Sequence, residues 1–192
     1  MKAIKRNLLV AVVLLGTLVN YANVDENFKN TKLIKVVFEN VQKNHDLVVK
    51  NSEGVVLHKE NISKDGYLVK FFDFSYLNDG EYTVEVNKDY EILIKSFKVE
   101  NSKVVVSKNV EKTIFKPVIK TIDNHIQISR INFDKSALNI SIYYKNNIIV
   151  EEVVKSDDKL VNKLYKLDDT IKGNYRVIVS NNNKSYTKEF TL

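Results

Sequence analysis

The chain has 192 residues, 44% hydrophobic and 28% charged, with 30 Lys and Arg against 24 Asp and Glu. That balance supplies a packed core for one or two domains and excludes a disordered chain. The absence of cysteine excludes a disulfide framework, and a formal charge of +6 is too mild to argue for nucleic acid as a partner.

The first segment runs Lys2, Lys5, Arg6 and then an apolar stretch from Leu8 to Val19, with small Ala22 just beyond. This is the order of a secretory signal peptide over residues 1–22, cleaved after Ala22. Twelve apolar residues reach only about 18 Å at helical rise, short of the roughly 30 Å hydrocarbon core, so no integral membrane segment is expected after cleavage. With no cysteine at this site, no lipid anchor is expected either. Removal of the segment leaves 27 basic and 24 acidic side chains. The chain is thus expected to be exported, to the periplasm, the cell surface or the medium.

Residues 23–101 form a first domain of short β-branched and aromatic runs separated by Asn, Asp, Gly and Ser, at about 32–39, 46–51, 55–60, 67–74, 81–87 and 91–99. Turns fall at Ser52 to Gly54, Lys64 to Gly66 and Asn78 to Gly80. Period-2 alternation puts Tyr82, Val84 and Val86 on one face and Glu81, Thr83 and Glu85 on the other. Residues 102–112 are a linker or short strand. Pro117, the only proline, cannot donate to a ladder and marks an edge or strand start in the second domain, residues 113–192. Strands there are expected at about 125–133, 138–144, 148–154, 160–167, 174–179 and 185–192.

The two halves repeat. An offset of 93 carries Gly80 onto Gly173, Tyr82 onto Tyr175, Val84 onto Val177, Val86 onto Val179 and Phe97 onto Phe190. It also carries Leu47 and Val49 onto Ile140 and Ile142, and Val55 to Leu57 onto Ile148 to Val150, without a gap from residue 47 to 99. Nine of these 53 pairs are identical, and apolar positions meet apolar positions throughout. In the last strand, Leu93, Phe97 and Val99 have apolar partners, whereas Ile92 and Ile94 meet Ser185 and Thr187, so the odd-numbered set is the core face. The fold class is all-β: two tandem immunoglobulin-like, fibronectin III-like antiparallel sandwiches.

The run Leu77-Asn78-Asp79-Gly80-Glu81-Tyr82-Thr83-Val84 resembles the tyrosine corner of immunoglobulin-like sandwiches, in which a strand-initial tyrosine closes the preceding corner through its hydroxyl. Ile171-Lys172-Gly173-Asn174-Tyr175 resembles it again, with the apolar anchor one residue closer to the glycine. Gly80, Tyr82, Gly173 and Tyr175 are therefore expected to be structural. With the Glu53-Gly54 turn and Val55 to Leu57, the pattern is also similar to small bacterial secreted sandwich domains, including the C-terminal sorting domains of type IX secretion. The likeness covers about 55 residues in each copy. It implies a secretion or assembly role in which the C-terminal domain acts as a sorting signal.

Chemistry-bearing motifs are absent. His45, His58 and His125 stand alone, and the glycines after residue 22 are isolated, which excludes a P-loop or a dinucleotide fingerprint. The paired acids Glu151-Glu152, Asp157-Asp158 and Asp168-Asp169 fall on opposite strand faces or in turns. No catalytic, cofactor-binding or metal-ligating residue is assigned, and no cofactor is expected. Lysines, with Arg130 and Arg176, read as a solvated face that guards against edge pairing. In Phe71-Phe72 and Tyr143-Tyr144 one ring of each pair must face outward, which makes Phe71, Tyr143 and Tyr144 the candidate surface-binding residues. The expected function is that of an exported non-enzymatic structural or binding module whose partner is a protein or glycan at the cell envelope; a glycan-binding protein and a sorting component are the alternatives.

Overall fold

The computed structural model describes residues 33–192 except 75, 102 and 183, with backbone alone for 33 and 105–111. Residues 1–22, where the signal peptide is expected, lie outside the described residues. The chain divides into two compact units, Met1–Ile114 and Phe115–Leu192.

The first unit contains β1 (Leu33–Val41), β2 (Asp46–Asn51), β3 (Val56–Asn61), β4 (Gly66–Asp73), β5 (Gly80–Asn87), β6 (Glu91–Glu100) and β7, which runs Lys103–Phe115. Sheet β1-β4 faces the larger sheet β3-β2-β5-β6-β7 across a single core. Alternation builds that core. Ile34, Val36 and Phe38 from β1 and Phe72 from β4 meet Leu47, Val49, Tyr82, Val84, Val86, Phe97 and Val99. Phe74 stacks between Phe72, at 5.9 Å, and Tyr82, at 6.1 Å. Each such ring contributes roughly 1.5–3 kcal/mol by leaving water.

The second unit contains β8 (Val118–Ile122), β9 (His125–Ile131), β10 (Leu138–Tyr144), β11 (Asn147–Val154), β12 (Leu160–Lys166), β13 (Asn174–Asn181) and β14 (Lys184–Thr191). Sheets β12-β9-β8 and β11-β10-β13-β14, all antiparallel, enclose Ile126, Ile128, Leu138, Ile140, Ile142, Val161, Leu167, Tyr175, Val177 and Val179. Pro117 stands immediately before β8, an edge strand, where its missing N–H costs nothing. Among the described residues, no helix is long and apolar enough to cross a membrane.

Registers repeat between the units. Leu47 opposes Val86 as Ile140 opposes Val179, and Tyr82 opposes Phe97 as Tyr175 opposes Phe190. A bulge falls at Val49/Lys50 in one and at Ile142/Tyr143 in the other, 93 residues on. The ungapped alignment fails at β3 and β11. Val49 pairs with His58, whereas Ile142 pairs with Val150, an offset of 92. The reason is the preceding turn: residues 52–54 make a three-residue loop with Gly54 at φ 80, and residues 145–146 a two-residue loop with Lys145 at φ 55.

The last strand of the first unit also departs from the odd-numbered expectation. Leu93, Phe97 and Val99 do pack on the core, but Ile92 is only 5% exposed and forms a second cluster with Ile94 and Ile114. Residues 103–112, a linker or short strand by sequence, belong to β7, which lies beside β6 and brings Ile114 over the two isoleucines. In the second unit β14 is the sheet edge, so Ser185 and Thr187 meet solvent there.

Candidate functional site

The strand-initial tyrosines close their corners in the same way. Tyr82 Oη donates to Asn78 O at 2.8 Å, and Tyr175 Oη donates to Ile171 O at 2.8 Å. Burial, helped by Asp79 in the first unit and by Tyr144 and Asp168 in the second, raises both phenols above their usual value. Gly173 has φ 144, and a Cβ there would lie 3.0 Å from a ring carbon of Tyr144. At Gly80 the nearest atom to a Cβ would be a Tyr82 ring carbon at 3.7 Å, ordinary contact.

Three aromatic candidates separate by environment. Phe71 is 43% exposed, while its neighbour Phe72 is 1% exposed in the core. Phe71 shares the outward face of β4 with exposed Tyr67 and Val69. Tyr144 packs against the second core, its ring centroid 5.0 Å from that of Tyr175 and its hydroxyl donating to Lys172 O at 3.0 Å. Tyr143 is the outward ring of that pair, and the Arg176 guanidinium sits 4.7 Å from its centroid.

The sequence places Arg130 on a solvated face, and the structure corrects this: Arg130 is 3% exposed. It follows Ile126 and Ile128 in the inward series of β9, and period-2 phase is the signal that would have found it. Its guanidinium donates to both Asp134 carboxylate oxygens at 2.8 Å, to Asn132 Oδ1 and Ser136 Oγ at 3.0 Å, and to the carbonyls of Ser136 and Phe115 at 3.3 Å. Asn181 and Asn182 join the same network through Ser136 and Asp134, and Asn132 donates to Ser156 O at 2.9 Å. Burial raises the Asp134 carboxyl, but the bonds from Ser136 and the charge of Arg130 outweigh it and hold the group below the usual carboxylate range. One buried cation thus fixes three loops at one end of the unit.

Four of the six paired acids are held locally, while Glu151 and Asp169 are exposed. Glu152 accepts from Lys163 and, at 2.6 Å, from Tyr165 Oη, bonds that lower its pKa; burial and that carboxylate raise the Tyr165 phenol. Asp157 pairs with Lys135, Asp158 with the hydroxyl of Ser156, and Asp168 caps its own turn through Thr170. His45 Nδ1 accepts from Gln42 N at 3.0 Å, and His58 packs edge-on against Phe72. Among the described residues, no three His, Asp or Glu side chains converge as a metal set.

What the sequence did not reveal is a depression that recurs at matched positions. In the first unit a depression of about 640 Å³ is lined by Ser52, Glu81, Thr83, Ser96 and Lys98, with Lys50 and Glu85 beside them. In the second, one of about 600 Å³ is lined by their counterparts Lys145, Asn174, Arg176, Glu189 and Thr191. In the first the cation is spent, since Lys50 Nζ lies 2.6 Å from Glu85. In the second Arg176 has no hydrogen bond or ion pair among the described residues, and its Nε is buried without a partner.

No family model and no curated protein matches the chain. Among solved structures, one described as a biofilm associated protein, BSP domain, aligns with a TM-score of 0.28 and 13% identity, covering 85% of this chain and 27% of that one. Extracellular domains 3–5 of Drosophila OTK align with a TM-score of 0.21 and 8% identity, covering 82% of this chain and 91% of that one. The chain therefore spans little more than a quarter of the first of these.

Proposed function

We propose that this chain is an exported, non-enzymatic binding module that presents the outer faces of its larger sheets to a partner at the cell envelope or beyond it. The observation that carries the reading is the recurrence of one depression at positions 93 residues apart, formed by outward strand positions and a turn residue together with Tyr82 and Phe97 in one unit and Tyr175 and Phe190 in the other. A rigid sheet floor with polar and aromatic side chains suits surface recognition, in which a few fixed groups supply specificity. Of the paired acids, Glu152, Asp157, Asp158 and Asp168 are engaged in turns and cross-strand pairs, and Asp134 in the Arg130 network.

The transport-signal alternative rests on the L-x-x-G-x-Y resemblance. The corner that carries this resemblance occurs in both units, so it does not single out the C-terminal one.

The test uses the full chain, offered to immobilised envelope polysaccharide and to envelope protein separately. Thr83→Glu together with Arg176→Glu places charge on both matched depressions and should abolish retention, read at a temperature where the variant is folded because a Glu opposite Glu189 costs about 0.2–1 kcal/mol. Phe71→Glu, on the opposite sheet, should leave retention intact. If Phe71→Glu abolishes retention and the double variant does not, the assigned faces are wrong.

A further inference from the structure

We infer that the outer face of β10, β13 and β14 binds a carboxylate-bearing sugar, a uronate unit of an acidic polysaccharide, and that Arg176 reads the carboxylate. This rests on the proposal that the outer sheet face is a binding surface, and it names the ligand that one of the two depressions takes.

Two arginines lie in the described residues, and they are used in opposite ways. Arg130 has every nitrogen engaged, whereas Arg176 spends only the face of its guanidinium, on Tyr143 at 4.7 Å. Stacking leaves the terminal Nη donors, which unlike Nε are not buried, for an acceptor. The planar fork matches a carboxylate bidentately. A second cation, Lys145, stands at the same depression with its ammonium 5.0 Å from the Tyr144 ring and no carboxylate partner among the described residues.

The other lining groups decide between a sugar and an acidic peptide. Glu189 opposes Arg176 across the ladder and is exposed without an ion pair among the described residues. Its oxygens are open to a donor from a ligand. Asn174 Oδ1 accepts from Thr191 Oγ1 at 2.9 Å, which fixes the amide so that its N–H groups are available. A uronate ring carries a carboxylate for Arg176 together with hydroxyls that donate to Glu189 and accept from Asn174. A glutamate side chain supplies the carboxylate alone, so an acidic peptide meets Glu189 and Asn174 only with backbone N–H and carbonyl groups, in place of the adjacent hydroxyls of one rigid ring. A shallow groove on a sheet also admits a polymer lying across it rather than a small molecule enclosed by it.

The first unit supplies an internal control. Thr83 stands where Arg176 does, and the nearby Lys50 is held by Glu85. The matched depression there therefore has no free guanidinium, and the site belongs to the second unit alone.

The experiment is titration of the full chain with tri-galacturonate at low salt, followed by backbone amide shifts, alongside its methyl ester and tri-glutamate. Saturable shifts are expected at residues 143–146, 174–176 and 189–191, with none at 81–83 or 96–98. The ester and tri-glutamate should bind at least about tenfold more weakly, as charge-assisted bonds are lost or the hydroxyl partners are missing. Arg176→Gln should show a similar loss, and Arg176→Lys should not restore binding because an ammonium lacks the fork. Equal binding of the ester or of tri-glutamate, shifts elsewhere, or full affinity in Arg176→Gln would overturn the inference. Should Arg176→Gln fail to fold, the shift map and the ester comparison on the unaltered chain decide. Absent tri-galacturonate binding with retention still lost in the Thr83→Glu, Arg176→Glu double variant removes this inference alone; absence of both effects removes the broader reading too.

Discussion

Arg130 occupies the inward position of β9 that Phe38 occupies in β1, so one unit closes with a ring where the other closes with an ion network. Arg130→Leu strands Asp134 and frees three loops, and equilibrium urea unfolding should show a loss of about 3–5 kcal/mol. Acid acts on the same knot. The Asp134 pKa is lower in the folded chain than in the unfolded one, so its stabilisation is complete above the unfolded value, about 3.9. That stabilisation drains as the pH falls through the lowered folded value. Stability measured across that range should fall more steeply in the parent than in Asp134→Asn, and parallel curves would reject the role given to this carboxylate. Gly173→Ala forces a Cβ toward the Tyr144 ring at a left-handed backbone position and should cost roughly 1–3 kcal/mol, read as a lower Tm. Tyr144→Ala should lower Tm as well, whereas Tyr143→Ala should leave it within about 0.5 kcal/mol of the parent because that ring lies outside the core. Parity along Leu138, Ile140 and Ile142 already favours Tyr144 as the inward ring. The tight packing on Gly173 was invisible to it, since 29 residues separate the two.

At the scale of strands, alternation and turn residues were legible because they are local: the twelve strands expected from residue 32 onward begin and end within a few residues of those found. The two strands given no bounds by sequence, β7, which reads as a linker or short strand, and β8, marked only by Pro117 as an edge or strand start, lie outside the segment where one copy of the repeat checks the other. The same limit explains Ile92 and Ile94. Comparison with β14 marks them as solvent-facing, and it is the neighbouring β7 that buries them. Ile114→Ala should therefore destabilise by about 2 kcal/mol or more, a core-like cost in the first unit from a residue that the sequence reading assigns to the second domain. A change near zero in denaturant midpoint would show that this cluster closes without it. Turn length, by contrast, moved the β3 and β11 registers by one residue, a shift that an ungapped comparison cannot show.

For the whole molecule, each core is built from residues of its own unit. Ile140→Asn places an amide in the second core, and hydrogen exchange should rise across residues 125–192 while residues 33–100 keep their protection. Uniform loosening would reject separate cooperative units. The fold class was readable from periodicity because both copies state it; the face proposed for binding was not, since the depressions join residues from strands far apart in sequence. Consider finally β11, the rim of its sheet. Ile148, Ile149 and Val153 stand exposed along it, and it carries no lysine, while its counterpart β3 carries His58 and Lys59. Such a border is a growth front: crowded copies can lengthen sideways by adding backbone rungs, and a single Val153→Lys should blunt that ribbon formation in concentrated solution without touching the melting temperature.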